Sequence, residues 1–104
     1  MKIEDLITGA ENITIKGRCY DNPMLTRYGD IIITDKKVLV QYDKCTTVLM
    51  RQYITKVEYR LNDSDICIYI YTSDQYPFGF HFAKTPDWRN WSEEVYAALC
   101  ENLY

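Results

Sequence analysis

The sequence predicts a mainly antiparallel β protein carrying one C-terminal α-helix, an α+β chain with a single helix. Three observations predict it. From Gly29 to Arg60 (GDIIITDKKVLVQYDKCTTVLMRQYITKVEYR) short β-branched and apolar runs are separated by tight polar breaks. From Ile66 to Ala83 two further runs alternate between faces at every second residue. Near the end, Trp88, Trp91, Val95 and Leu99 recur at spacings of three and four, the apolar stripe of an amphipathic helix.

Taken in order, Lys2 to Leu6 reads as a short helix or lead-in. Ile13 to Tyr20 (ITIKGRCY) reads as a first strand, with Gly17 as a candidate bulge. Asp21-Asn22-Pro23 is turn chemistry, because Asx side chains bond to nearby backbone and proline stops a ladder. Asp30 to Thr34 and Val38 to Tyr42 form a hairpin around Asp35-Lys36-Lys37. After a polar break at Asp43 to Cys45, Thr46 to Arg51 and Tyr53 to Leu61 are further strands. In the second, Tyr53, Thr55, Val57, Tyr59 and Leu61 share one face. The polar set Lys56, Glu58 and Arg60, with Ile54, shares the other. Asn62 to Asp65 is a clear turn. Ile66, Ile68 and Ile70 then alternate with Cys67, Tyr69 and Tyr71, and Phe78, Phe80 and Phe82 with Gly79, His81 and Ala83. Pro86 ends the last strand, and Asp87 is the expected N-cap of a helix over about 88–102.

Composition bounds the function. The 104 residues fit one domain, 1–104, and 47% hydrophobic residues suffice for a core. A net charge of −3 argues against generic nucleic-acid binding and against a polybasic membrane patch. No apolar run approaches the ~18–20 residues of a transmembrane helix. The N-terminus, MKIEDLITGAEN, is acidic where a signal peptide is basic and then apolar. The expectation is a soluble, cytoplasmic protein complete from Met1. Cys19, Cys45, Cys67 and Cys100 are spread along the chain without a CxxC pair. They read as reduced small hydrophobes rather than metal ligands, and neither metal nor cofactor is expected.

The segment IIITDKKVLVQY resembles the strand–turn–strand hairpin of bacterial pleckstrin-homology-like (PH-like) domains. Gln52-Tyr53-Ile54-Thr55-Lys56-Val57-Glu58 resembles the Tyr-x-x-Ile element and strand that follow it in that family. The last strand pair, Ile66–Ala83, and the terminal helix, Trp88–Leu103, complete a resemblance spanning about Asp30 to Tyr104. It implies a strongly bent antiparallel sheet, or a partly open barrel, of about seven strands with the helix plugging one end. The residues agree, since a single amphipathic helix must bury its stripe and a curled sheet offers one concave face to receive it. The tryptophan stripe is therefore expected to be core.

Chemistry-bearing residues are sparse. His81 is the sole histidine, and no Ser or Cys lies near it in sequence as an obvious partner for nucleophilic catalysis. Asp63 and Asp65 read as a solvated turn. Eukaryotic PH domains that bind phosphoinositides use basic residues between their first two strands, and Lys16, Arg18 and Arg27 are the corresponding weak phosphate or ligand candidates. Ten tyrosines are the strongest functional hint, because tyrosine favours protein interfaces. Tyr69, Tyr71, Tyr76, Tyr96 and Tyr104 gather toward the C-terminal third. The strand Ile66–Tyr71 is expected at or beside a contact surface, its isoleucines inward and Tyr69 and Tyr71 outward with no charge to guard the edge. The expected protein is not an enzyme. It is a non-catalytic module that self-assembles into a homo-oligomer or docks another protein. The alternative is a small phage or mobile-element inhibitor that sequesters a host-defence protein or ligand.

Overall fold

The computed structural model describes residues 3–7, 9, 11–43 and 45–101. After a 3-10 turn at Ile3–Leu6, seven strands follow: β1 (Ile13–Tyr20), β2 (Tyr28–Thr34), β3 (Lys37–Tyr42), β4 (Cys45–Met50), β5 (Ile54–Leu61), β6 (Ile66–Thr72) and β7 (Phe78–Phe82). A second 3-10 turn, Arg51–Tyr53, joins β4 to β5, and the helix α1 covers Pro86–Cys100. All strand pairs are antiparallel, in one open sheet of order β4-β3-β2-β1-β7-β6-β5.

That order forces the sheet to curl. Laid flat, its two edge strands, β4 and β5, would stand roughly 29 Å apart at ~4.8 Å per strand. The chain between Met50 and Ile54 can span at most about 14 Å. The two edges must therefore approach each other, and the curl makes an inner face. Ile31, Ile33, Val38, Val40, Leu49, Ile66, Ile68, Ile70, Phe80 and Phe82 fill it, with Val95 and Leu99 of α1. Arg51 fastens the corner where the edges meet: its guanidinium donates to the Thr34 carbonyl (2.9 Å) and to the Ala98 carbonyl in the last turn of α1 (2.8 Å).

Several boundaries and faces differ from the sequence reading. The bulge in β1 falls between Ile13 and Ile15, not at Gly17. Tyr53 is in the 3-10 turn, and a bulge between Ile54 and Lys56 turns both Ile54 and Val57 to the core. Ile54 therefore does not share a face with the exposed Lys56 and Arg60. The helix N-cap is Thr85, with Pro86 at the first helical position, where its missing N–H costs nothing. Asp87 lies in the first turn, and Asn102 lies outside the described residues. Val95 and Leu99 are fully buried as the stripe requires, but Trp88 and Trp91 are only half-buried. Ser92 takes a fully buried place on the same side: it donates to the Arg89 carbonyl (2.7 Å) and accepts from Tyr59 (2.8 Å). No helix among the described residues is long and apolar enough to cross a membrane.

Candidate functional site

The strands split into two groups at β1. β1 pairs with β2 along nearly its whole length, but it meets β7 only at Tyr20 opposite His81. Upstream of Tyr20, β1 has parted from β7, and its free side would expose unpaired backbone. The first turns of α1 occupy that space. Trp91 Nε1 donates to the Arg18 carbonyl at 2.7 Å, standing in for the absent strand partner. The indole lies directly on Gly17: a Cβ there would be 2.7 Å from Cη2, 2.8 Å from Cε2 and closer still to Cζ2. Glycine in this strand is thus a place of close approach.

The result is an open cleft of about 290 Å³ lined by Lys16, Gly17, Arg18, Asp87, Trp88 and Trp91. An aromatic stack extends it. Trp88 sits 5.0 Å from Tyr20 and 6.2 Å from Tyr28 between ring centroids, and the two tyrosines stack at 4.6 Å. Tyr20 donates its hydroxyl proton to Tyr28 (3.0 Å), which holds the Tyr20 hydroxyl above the usual tyrosine range. Arg18 lies over the exposed Tyr28 ring at 4.8 Å. Its only carboxylate neighbour among the described ion pairs, Asp30, is at 4.0 Å, and Lys16 pairs with Glu4 at 3.2 Å. Both cations are more than half exposed, so these pairs are weak and can be exchanged for a partner's carboxylate.

Of the three basic candidates, the structure brings Lys16 and Arg18 to this cleft. Arg27 is elsewhere, in the β1–β2 loop, where Asp21 and Asp43 hold it against the Tyr42 ring and raise its already high pKa.

The tyrosine candidates are dispersed. β6 is an interior strand between β5 and β7, not an edge, and its outer face is not free of charge. Arg60 stacks on Tyr69 at 4.7 Å, Lys56 lies 5.3 Å from the Tyr71 ring, and Tyr71 donates to Glu58 (3.2 Å). Cross-strand pairing of β5 with β6 makes these contacts inevitable, because Lys56, Glu58 and Arg60 stand opposite Tyr71, Tyr69 and Cys67. Glu58 is held below the usual carboxylate range: its partial burial opposes this, but Arg60 and Lys56 outweigh it. Tyr76 is almost wholly exposed in the β6–β7 loop, beside Ser73, Asp74 and Gln75. Tyr96 packs on Tyr59 at 5.4 Å, and Tyr104 lies outside the described residues.

His81 does have partners, from β6 and the residue just before it. Its Nδ1 lies 2.6 Å from Asp65 Oδ2 and its Nε2 4.0 Å from Cys67 Sγ. Asp65 is therefore not a solvated turn residue: it is 1% exposed, and it also accepts from Asn62 (2.9 Å). The Asp–His–Cys order mimics a nucleophile and its base, but the environment is wrong for one. Cys67 is inaccessible, and burial pushes its thiol up to about 11, whereas a nucleophilic thiol needs access and a lowered pKa. The row is a buried polar tie between β7 and the chain entering β6. Among the described residues no cluster of His, Cys, Asp and Glu could hold a metal ion.

Sequence reasoning assigned the two tryptophans to the core and missed the cleft they frame. The available signal was Gly17, an isolated glycine inside a strand. No protein-family model matches this chain, and no curated protein matches it.

Proposed function

We propose that this protein is a non-catalytic binding module and that the cleft between β1 and the first turns of α1 receives a segment of a partner protein. The observation that carries this reading is the composition of that one surface. Trp88, Trp91, Tyr28 and Arg18 are the residue types that dominate protein contacts, and here they are contiguous, half-exposed and held in place by internal bonds. An apolar or aromatic side chain fits against the Trp88 and Trp91 rings, and an acidic side chain fits Lys16 and Arg18. The PH-like resemblance supports a scaffold that presents a surface rather than a reaction centre.

The test is a random-peptide display selection against the folded protein, with counter-selection on Trp88→Ala. Trp88 is half-buried at the rim, so its loss leaves the inner core of Val95 and Leu99 in place. Enriched peptides should carry Asp or Glu close to an aromatic or branched residue. They should lose on the order of thirtyfold in affinity to Trp88→Ala, the effect of a contact worth about 2 kcal/mol. A selection that enriches nothing, or peptides indifferent to Trp88→Ala, would contradict the proposal.

A further inference from the structure

The two edges of the open sheet are guarded very differently. β5 carries Lys56, Glu58 and Arg60 and a bulge at its start, the usual devices against edge pairing. β4 reads Cys-Thr-Thr-Val-Leu-Met, with no charge, no proline and no bulge, and has a strand neighbour on one side only. The register of the β3–β4 hairpin fixes which of its backbone groups are unused. Tyr42 pairs with Cys45 across a two-residue loop, with Asp43 at φ 49°, so this closing pair exchanges both hydrogen bonds. Alternation along an antiparallel ladder then leaves the N–H and C=O groups of Thr46 and Val48 and the N–H of Met50 unused and pointing away from β3, while the Met50 carbonyl takes the first bond of the 3-10 turn that follows. The side chains of the same three residues lie on the outer face, opposite the Leu49 side that is buried in the core.

We infer that β4 pairs with β4 of a second copy of this chain, antiparallel about a two-fold axis at Val48. In that register Val48 meets Val48 of the second copy and Thr46 meets its Met50. Every unused N–H and C=O of the three residues finds a partner, and the Met50 carbonyl accepts a second bond, from the Thr46 N–H of the second copy. In that register no charges, like or unlike, oppose each other. The outer-face side chains also match. Val48, Leu39 and Ile32 form one apolar row across β4, β3 and β2, with Leu6 and Ile7 packed on it, and the row stops at Val48 because the sheet stops there. The two-fold pairing continues it through Val48, Leu39 and Ile32 of the second copy. The β4 edge and the tryptophan cleft involve different residues, so either assignment can fail without the other.

The experiment is native mass spectrometry and light scattering from about 10 µM to about 1 mM, the range for a small interface. Excess reductant keeps the exposed Cys45 from linking copies. Amide exchange is read residue by residue over the same range. The wild type should dimerise, and protection at Thr46, Val48 and Met50 should grow with concentration while Thr47 and Leu49, already bonded to β3, stay unchanged. Val48→Lys should be monomeric throughout. Thr46→Lys, which disturbs no apolar contact, gives the same test should Val48→Lys fail to fold. A wild type that stays monomeric to 1 mM, a dimer that survives both lysine variants, or concentration-dependent protection on β5 instead would overturn the inference.

Discussion

Replacing Gly17 with alanine tests whether the cleft is built as described. The added Cβ would fall within 3 Å of three Trp91 ring atoms, and a ring pinned by its own N–H cannot swing aside while keeping that bond. The indole must leave β1. It then loses its hydrogen bond to the Arg18 carbonyl, about 1 kcal/mol, and the packing of a half-buried tryptophan, roughly half of the ~3–5 kcal/mol for a buried one. Alanine restricts the unfolded chain and returns about 0.5 kcal/mol. The net loss is about 2.5 kcal/mol, or a melting temperature lower by roughly 10–20 °C for a domain of this size. Thermal denaturation followed by circular dichroism measures it, and tryptophan emission should move to the red as the ring meets water. The decisive control is the double-mutant cycle. Trp91→Ala alone should cost a similar amount or slightly more. In the Trp91→Ala background, Gly17→Ala should cost nothing or stabilise by a few tenths of a kcal/mol, since nothing remains for the Cβ to strike. If Gly17→Ala costs as much without Trp91 as with it, the indole does not rest on Gly17 and the cleft is wrongly drawn.

Other outcomes follow from the same contacts. Leu99→Ala, at a fully buried helix position, should lose about 2–5 kcal/mol in urea denaturation, whereas Ala97→Ser on the exposed side should change little. Glu11 is buried, 2.8 Å from both Lys37 Nζ and Thr34 Oγ1, and Glu11→Ala should cost about 2–4 kcal/mol in the same assay. Burial raises the Cys19 thiol from 9.0 to about 12. A pKa higher in the folded state gives stability that is complete below pH 9 and is lost as pH climbs from 9 toward 12, where the unfolded thiol ionises and the folded one cannot. Urea midpoints should therefore fall more steeply above pH 9 in the wild type than in Cys19→Ala. With a thiol reagent at neutral pH, the exposed Cys45 should react at once, and Cys19 and Cys67 only on unfolding.

The fold was legible because its signals are local. The alternation of Ile66, Ile68 and Ile70 against Cys67, Tyr69 and Tyr71, and the stripe ending in Val95 and Leu99, each fixed an element and its buried face. Faces were misassigned where a bulge broke the period, as at Ile54. The site was far less legible because its causes are long-range. That β1 parts from β7 after a single pair, and that a residue seventy-three positions away completes the Arg18 backbone, leaves no trace in residue spacing. The buried Asp65–His81 tie was hidden for the same reason, since turn chemistry masked a cross-strand partner. Tyr69 and Tyr71 were read as free because the sequence does not show which strand lies beside them. Once β5 does, its cations cover them.

The central claim is that the tryptophan cleft is where a partner binds, and the protein carries its own reporter for it. Trp88 and Trp91 are the two tryptophans of the chain, so all tryptophan emission arises at the cleft. The most direct measurement is a fluorescence titration with a selected acidic–aromatic peptide, comparing the wild type with Lys16→Glu, Arg18→Glu, whose exposed positions leave the fold intact. Saturable change in emission with the wild type, and affinity at least about tenfold weaker in the charge-reversed variant, is the result predicted here. A peptide that binds both proteins equally, or that saturates the wild type without altering its tryptophan emission, would place the binding surface elsewhere and contradict the claim.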